Sequence, residues 1–400
     1  MNALRTLLVG GALGAATAVL PAAAQLPGVA PTADDPPAPL RADRLSREAI
    51  GPVVDRAVDY LVRVQHDDGS WGDDAPKILE LGFALNTYRS WRLASHALST
   101  MALAKGPETP ERRAALDRAV RFLATAELPK RDSDWDIDFV WTALYGFVGC
   151  VELLQDERFS EGEFAGPLRA RAETFFGVLR GHQAASGGWA YYDDPPFDVQ
   201  PTWATSFCTA LVLPALRDAQ GLGFDVPETM IARGVRYLER CALPNGAYTY
   251  DLDPVARING VEHINKVEGS LGRIQVAHWA RRTLGDARVT DEVLREGLEQ
   301  FFEHHAYLDH VRLRPIPHEG FHANAGYFYF FAHYYAARVI ELLPEEEREE
   351  WHARLRPHLA KTQRASGSAS DFLGSSYTVN AGTSFMVLSL EAGARQRDER

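Results

Sequence analysis

Apolar positions along this chain fall at three- and four-residue spacing in short phrases that recur every fifty to sixty residues: AVDYL from Ala57, AVRFL from Ala119, AETFF from Ala172, GVRYL from Gly234 and LEQFF from Leu298. LRPHLAKTQ from Leu355 continues the interval. Spacing of this kind predicts amphipathic helices, and a fixed long period predicts a repeat architecture. After each phrase comes a stretch with Gly, Pro, Asn or Asp, such as HDDGSWG, AASGGWA and ALPNGAYTY, which breaks the helix into a turn. A second apolar segment follows, among them WRLASHALSTMAL, FVWTALYGFVGCVELL, TWATSFCTALVLPAL and AGYFYFFAHYYAARVIELL. Each of the six units therefore reads as helix, turn, helix.

The two helices of a unit differ in character. First helices such as REAIGPVVDRAVDYLVRVQ carry Arg and Asp opposite an apolar face, the pattern of a helix that touches water on one side. Second helices have few charges on any face, and a helix apolar nearly all round is buried. Six outer and six inner helices, antiparallel within each pair, predict an all-α fold, an (α/α)6 toroid of six helical hairpins. An open solenoid is the alternative. Sustained period-two alternation, the mark of strands, is nearly absent.

The ends read differently. Met1 to Ala24 has one early cation, Arg5, an apolar stretch LLVGGALGAATAVL and a small-residue run Ala22-Ala23-Ala24, which predicts a secretory signal cleaved near Ala24. Residues 25–44 are Pro-rich and read as an extended tether, which leaves 45–395 for a single toroid domain. The protein is thus expected to be exported, periplasmic or extracellular, with no transmembrane span in the mature chain. A formal charge of −12, without a run of Lys and Arg, argues against nucleic acid. Cys150, Cys208 and Cys241 are too few for a disulfide framework and read as core residues, with a single bridge as the alternative.

Two turns carry a sharper motif. The stretches YLVRVQHDDGSW, ending at Trp71, and LRGHQAASGGW, ending at Trp189, place Gln65 and Gln183 six residues before the indole. They resemble the QW repeat of the squalene and hopene cyclase and protein prenyltransferase superfamily. The resemblance implies the α/α toroid, with the Gln at the end of an outer helix stacking on the Trp and tying adjacent hairpins together. The other four units keep the turn and lose the pair; Trp135 and Tyr248 stand near the aromatic position, whereas Ala369 leaves it empty.

Candidate chemistry lies at the turns and the starts of the inner helices. In DSDWDIDFVWTAL, Asp132, Asp134, Asp136 and Asp138 alternate before an inner helix. This locally resembles the DxDD motif of class II terpene cyclases, which implies Asp138 as a proton donor and Asp136 as the first Asp, although Phe139 replaces the fourth position. Helix-end stabilisation and Ca²⁺ ligation are the alternatives. HEGFH, His318 to His322, spells the HExxH zinc pattern, but Pro315, Pro317 and Gly320 oppose the helix that pattern needs, so it is read as coincidence. His318, Glu319 and His322 are then residues of a cavity mouth. The prenyltransferase zinc site, built from Asp, Cys and His, has its nearest material in Cys208 with His278 or His333; without an Asp-x-Cys pair it is not carried over, and no metal ligand is assigned.

Aromatic and polar residues opening the inner helices are expected to line a central cavity: Trp91, His96, Trp135, Trp141, Tyr192, Trp203, Tyr327 and Tyr377. Aromatic faces suit carbocations, polyprenyl chains and sugar rings alike. One reading is therefore a divergent single-toroid relative of the cyclases that binds, and transforms by acid initiation, a small apolar or isoprenoid-like molecule. A second is a carbohydrate-active lyase or hydrolase, drawing on Asp136 or Asp138 with Glu319, or on His322 with Tyr377. A third is a non-catalytic interaction scaffold. No motif specifies a cofactor or an oligomeric state.

Overall fold

The computed structural model describes residues 43–73, 85–131, 138–192, 200–252, 262–318, 320–373 and 376–392. Most of the expected signal and tether, together with Trp135, Asp136 and Glu319, lies outside these residues. Among the described residues there are thirteen α-helices and no strand, only isolated bridges such as Trp189 with Thr205. The outer helices are α1 (Arg47–Arg63), α3 (Pro110–Thr125), α5 (Gly162–Gly181), α7 (Glu228–Cys241), α9 (Asp291–Glu303) and α12 (Glu345–Ala360). The inner helices are α2 (Leu85–Lys105), α4 (Trp141–Leu154), α6 (Ser206–Gly221), α8 (Leu271–Thr283), α11 (Phe328–Ile340) and α13 (Thr378–Leu390), and a short α10 (Ala306–Val311) extends the fifth turn.

Inner helices touch in the order α2, α4, α6, α8, α11, α13, and α13 returns to α2. The ring is therefore closed, and the open solenoid is excluded. Burial follows the predicted two layers: nearly every residue of α2, α4 and α11 is buried, whereas α1, α7 and α9 bury one face. Hydroxyl caps start several helices, with Ser46, Thr109, Thr205 and Thr290 each accepting from a backbone N–H three residues on.

The turns show how neighbouring hairpins are joined. Trp71 Nε1–H donates to the Leu61 carbonyl at 2.8 Å, and Trp189 Nε1–H to Leu179 at 2.8 Å, each closing the end of its own outer helix. The Gln works sideways through its amide. Gln65 Nε2 donates to Gly69 O within the turn and to Ala115 O of α3, the next outer helix, at 2.9 Å. Gln183 repeats this with Gly187 O and Met230 O of α7, also at 2.9 Å.

A third copy stands where the indole is missing: Gln363 donates to Gly367 O and to Val53 O of α1, so the same device seals the last hairpin to the first. Gly69, Gly187 and Gly367 all have left-handed φ, and a Cβ there would meet the carbonyl oxygens of Arg118, Arg233 and Arg56 at 2.3, 2.5 and 2.2 Å. Only glycine admits both that backbone and that approach.

All three cysteines are buried free thiols, so the core reading holds over the single bridge. No helix among the described residues is long and apolar enough to cross a membrane.

Candidate functional site

The turns that follow the outer helices, and the first halves of five inner helices, surround a cavity of about 450 Å³ at one end of the ring. Helix periodicity selects its walls: Trp91, Ala94, Ser95 and Leu98 form one face of α2, Trp141 and Tyr145 one face of α4, Phe328 and Phe331 one face of α11. Thirteen of the 24 described lining residues are Phe, Tyr or Trp, and none is Lys, Arg or Glu. Trp141 lies between the near-parallel rings of Tyr145 and Tyr191, with centroids 5.5 and 5.8 Å away. Phe385 of this wall also packs against Tyr145 and Tyr334, with centroids 5.9 and 5.4 Å away.

Two carboxyl groups face this aromatic wall. Asp138 ends the turn before α4 with φ 58°, a left-handed conformation that is strained for a residue with a side chain. Its Oδ2 accepts from Trp91 Nε1–H at 2.9 Å. The group lies deep in the ring with part of its surface open to the cavity, and burial pushes its pKa up to about 7, opposed only by the indole hydrogen bond. Asp371 is 4% exposed and is likewise pushed up to about 7 by burial, with the Phe330 N–H of α11 as an opposing donor. Each carboxyl is therefore a neutral acid below neutrality.

A Tyr–His pair completes the polar part of the site. His318, also left-handed at φ 61°, holds Ala323 O through Nδ1 at 2.7 Å, which fixes the Nδ1–H tautomer and leaves Nε2 to accept from the Tyr327 hydroxyl at 2.7 Å. Burial lowers the His318 pKa, keeping the ring neutral, and raises that of Tyr327, with the Asp138 carboxyl adding to the latter. The remaining hydroxyls are largely engaged within the wall: Tyr191 and Tyr250 bond each other at 3.0 Å, and Thr378 Oγ1 donates to Phe372 O.

Of the expected residues, Asp138, Trp91, Trp141, Tyr192, Tyr327 and Tyr377 share this cavity. Three others are placed elsewhere. His96 is on the outward face of α2, 1% exposed between Trp71 and Phe122, with Nε2 on Ala119 O of α3; a ring one helical face away from the lining residues cannot reach ligand. Trp203 is buried behind the lining against Tyr192, at 4.4 Å. His322 turns away and meets Tyr307 edge-on at 4.7 Å, because the segment is a single left-handed turn and not the helix an HExxH site needs. Among the described residues, Cys208 and His278 join no group of metal-ligand type, and the group that includes His333 contains no Cys.

Sequence reasoning overlooked Asp371, Phe207, Tyr250 and Phe331. A register signal for two of them was available: Tyr191, Tyr250 and Asp371 each stand two residues after the indole position of their turn, at Trp189, Tyr248 and Ala369, and all three line the cavity.

No protein-family model matches this sequence, and no curated protein sequence matches it. Solved structures do resemble the fold. An inactive variant of the alpha-1,6-mannanase GH76A of Salegentibacter sp., in complex with alpha-1,6-mannotetrose, matches with TM-score 0.56 and 13% identity over 85% of this chain and 98% of that one. A glycosyl hydrolase of family 88 from Bacteroides vulgatus matches with TM-score 0.52 and 11% identity over 88% and 99%. A type II terpene cyclase from Scytonema, in complex with geranylgeranyl dihydroxybenzoate, matches with TM-score 0.47 and 14% identity over 87% and 98%. At such identities the likeness to the two hydrolases establishes the α/α toroid and nothing of the chemistry.

Proposed function

We propose that this protein binds an apolar, isoprenoid-like molecule in the aromatic cavity and transforms it by proton transfer from Asp138. The observation that carries the reading is a carboxyl held neutral up to about pH 7 in a wall made mostly of aromatic rings, with no Lys or Arg among the described lining residues. An alkene is protonated only by an acid that is present as the acid, and the cation so formed is stabilised by the negative faces of nearby rings. In the proposed step the Asp138 proton and an alkene π pair form a new C–H bond, leaving a carbocation that is quenched within the substrate. The proton finally lost passes to the neutral Tyr327–His318 pair. Within that reading, export and cleavage of residues 1–24 stand as part of the proposal.

Glycan hydrolysis is favoured by one specific observation, the second carboxyl Asp371 on the same cavity. The hydroxyl inventory weighs against it. A sugar buried here would meet Tyr and Thr hydroxyls whose hydrogens are largely committed to each other, to His318 or to backbone, which leaves few donors for its own oxygens at a cost of about 1–3 kcal/mol for each left unpaired.

The test is native mass spectrometry with organic extraction of the purified chain, followed by incubation with polyprenyl substrates and, separately, with alpha-1,6-mannooligosaccharides. A carried or converted lipid, with conversion lost in Asp138→Asn while lipid binding persists, supports the proposal. Cleavage of the glycan with no lipid bound would replace it with the hydrolase reading, and silence in both arms would leave a scaffold.

A further inference from the structure

Outside the cavity, behind α11, three histidines converge from three separate elements: His305 at the junction of α9 and α10, His333 in the middle of α11, and His358 near the end of α12. One ring nitrogen from each lies within 4.8 Å of the others, and among the described residues this is the only group of three or more His, Cys, Asp or Glu so arranged. His333 is fully buried, His305 is 3% exposed, and His358 is half-buried.

The hydrogen bonds decide what the rings present to one another. His305 Nδ1 is 3.0 Å from Asp309 Oδ2, a carboxylate oxygen that also accepts from Lys361 Nζ at 2.9 Å. His333 Nδ1 is 2.7 Å from the Tyr329 carbonyl. Both partners can only accept, so both Nδ1 atoms carry the hydrogen and both Nε2 atoms are bare lone pairs. Those two Nε2 atoms face each other at 3.0 Å. Two lone pairs at that distance repel unless something positive lies between them, either a shared proton or a metal ion. Neighbouring nitrogens of a tetrahedral zinc site, with Zn–N of about 2.1 Å, are separated by roughly 3.4 Å, close to the spacing found here. The Asp309–His305 contact is moreover the carboxylate–histidine arrangement that orients a metal-bound imidazole.

We infer that His305, His333 and His358 form a divalent transition-metal site, with zinc the ion that best suits three neutral imidazoles, holding α9, α11 and α12 together. None of the three lines the cavity, so the ion stands apart from the aromatic site and clamps the fifth hairpin to the outer helix of the sixth. His358 swings inward to complete the set, and the fourth position is left to water.

The test uses the full chain, stripped with chelator and titrated with Zn²⁺ at neutral pH. Native mass spectrometry is expected to count one zinc per chain, Co²⁺ to give the visible bands of a tetrahedral nitrogen site, and the melting midpoint to rise by about 4 °C or more at a hundredfold excess over Kd. His358→Gln should lower zinc affinity at least tenfold, while its chelated form melts with the chelated wild type. Asp309→Asn, which removes only the orienting carboxylate, should lower affinity by roughly 10- to 100-fold. If His358→Gln fails to fold, the wild-type cobalt spectrum and Asp309→Asn decide the matter. Absence of bound metal, a cobalt spectrum without nitrogen ligation, or zinc binding unchanged in the variants would overturn the inference and leave a proton shared between His305 and His333.

Discussion

Asp138 owes its character to its aromatic neighbours and one backbone angle. The left-handed turn aims the carboxyl inward, Trp91 supplies a single donor, and rings on the opposite side supply no charge to favour ionisation. Activity should therefore require the protonated form, holding steady at acid pH and falling about tenfold per unit above roughly pH 7, which a pH–rate profile of kcat/KM would show. Asp138→Asn keeps the shape and the indole contact but cannot give up a proton, so the rate should drop by roughly 10²- to 10⁴-fold with ligand affinity little changed. Tyr327→Phe removes the hydroxyl that meets His318 Nε2; if the pair takes the final proton, that variant should change the product distribution more than the rate of consumption, as chromatography of the products would reveal.

Between helices, the recurring unit is a Gln that bonds its own turn and the next outer helix, a left-handed Gly beside it, and an Arg on that next helix. Arg118 donates to Gln65 Oε1 at 2.7 Å and Arg56 to Gln363 Oε1 at 3.0 Å through Nε, while Arg233 reaches the Ala184 carbonyl. Gln183→Ala removes the amide that joins the Gly187 carbonyl of the turn to the Met230 carbonyl of α7 and should cost about 1–3 kcal/mol, read as a lower urea midpoint with unchanged slope. Gly187→Ala must fit a methyl against the Arg233 carbonyl in a left-handed backbone, and should cost a similar amount or more in the same measurement. An Arg precedes the small residue in each of the phrases at Ala57, Ala119 and Gly234, but only the structure gives it a role, because its partner turn is about fifty residues away for Arg118 and Arg233 and 307 for Arg56.

For the whole ring, the two buried carboxyls set a pH dependence of stability. Both have folded pKa values near 7 against an ordinary value of 3.8, so the folded state binds protons more tightly than the unfolded chain. Their contribution is fully present below about pH 3.8 and is lost as pH rises to about 7, beyond which it is constant. Urea midpoints of Asp371→Asn should accordingly decline less between pH 4 and pH 7 than those of the wild type. Ring closure gives a second whole-molecule property: α13 covers both α2 and α1, so no hairpin at the seam has a free inner face.

What the chain determined by itself follows from local physics. The 3.6-residue apolar period, the charge asymmetry between first and second helices, and the Gly-containing turns are enough for six hairpins in two layers, and the indole-bearing turns at Trp71 and Trp189 mark where two of the outer helices end. What only the tertiary structure decided is which face of an inner helix looks inward. His96 and Trp91 are five residues apart on α2, one packed against an outer helix and the other on the cavity, because the rotation of a helix apolar on every side is set by its neighbours and not by its own pattern. The same holds for the three converging histidines. They lie on elements of the fifth and sixth hairpins about fifty residues apart at most, and only the packing of those neighbours brings their nitrogens together.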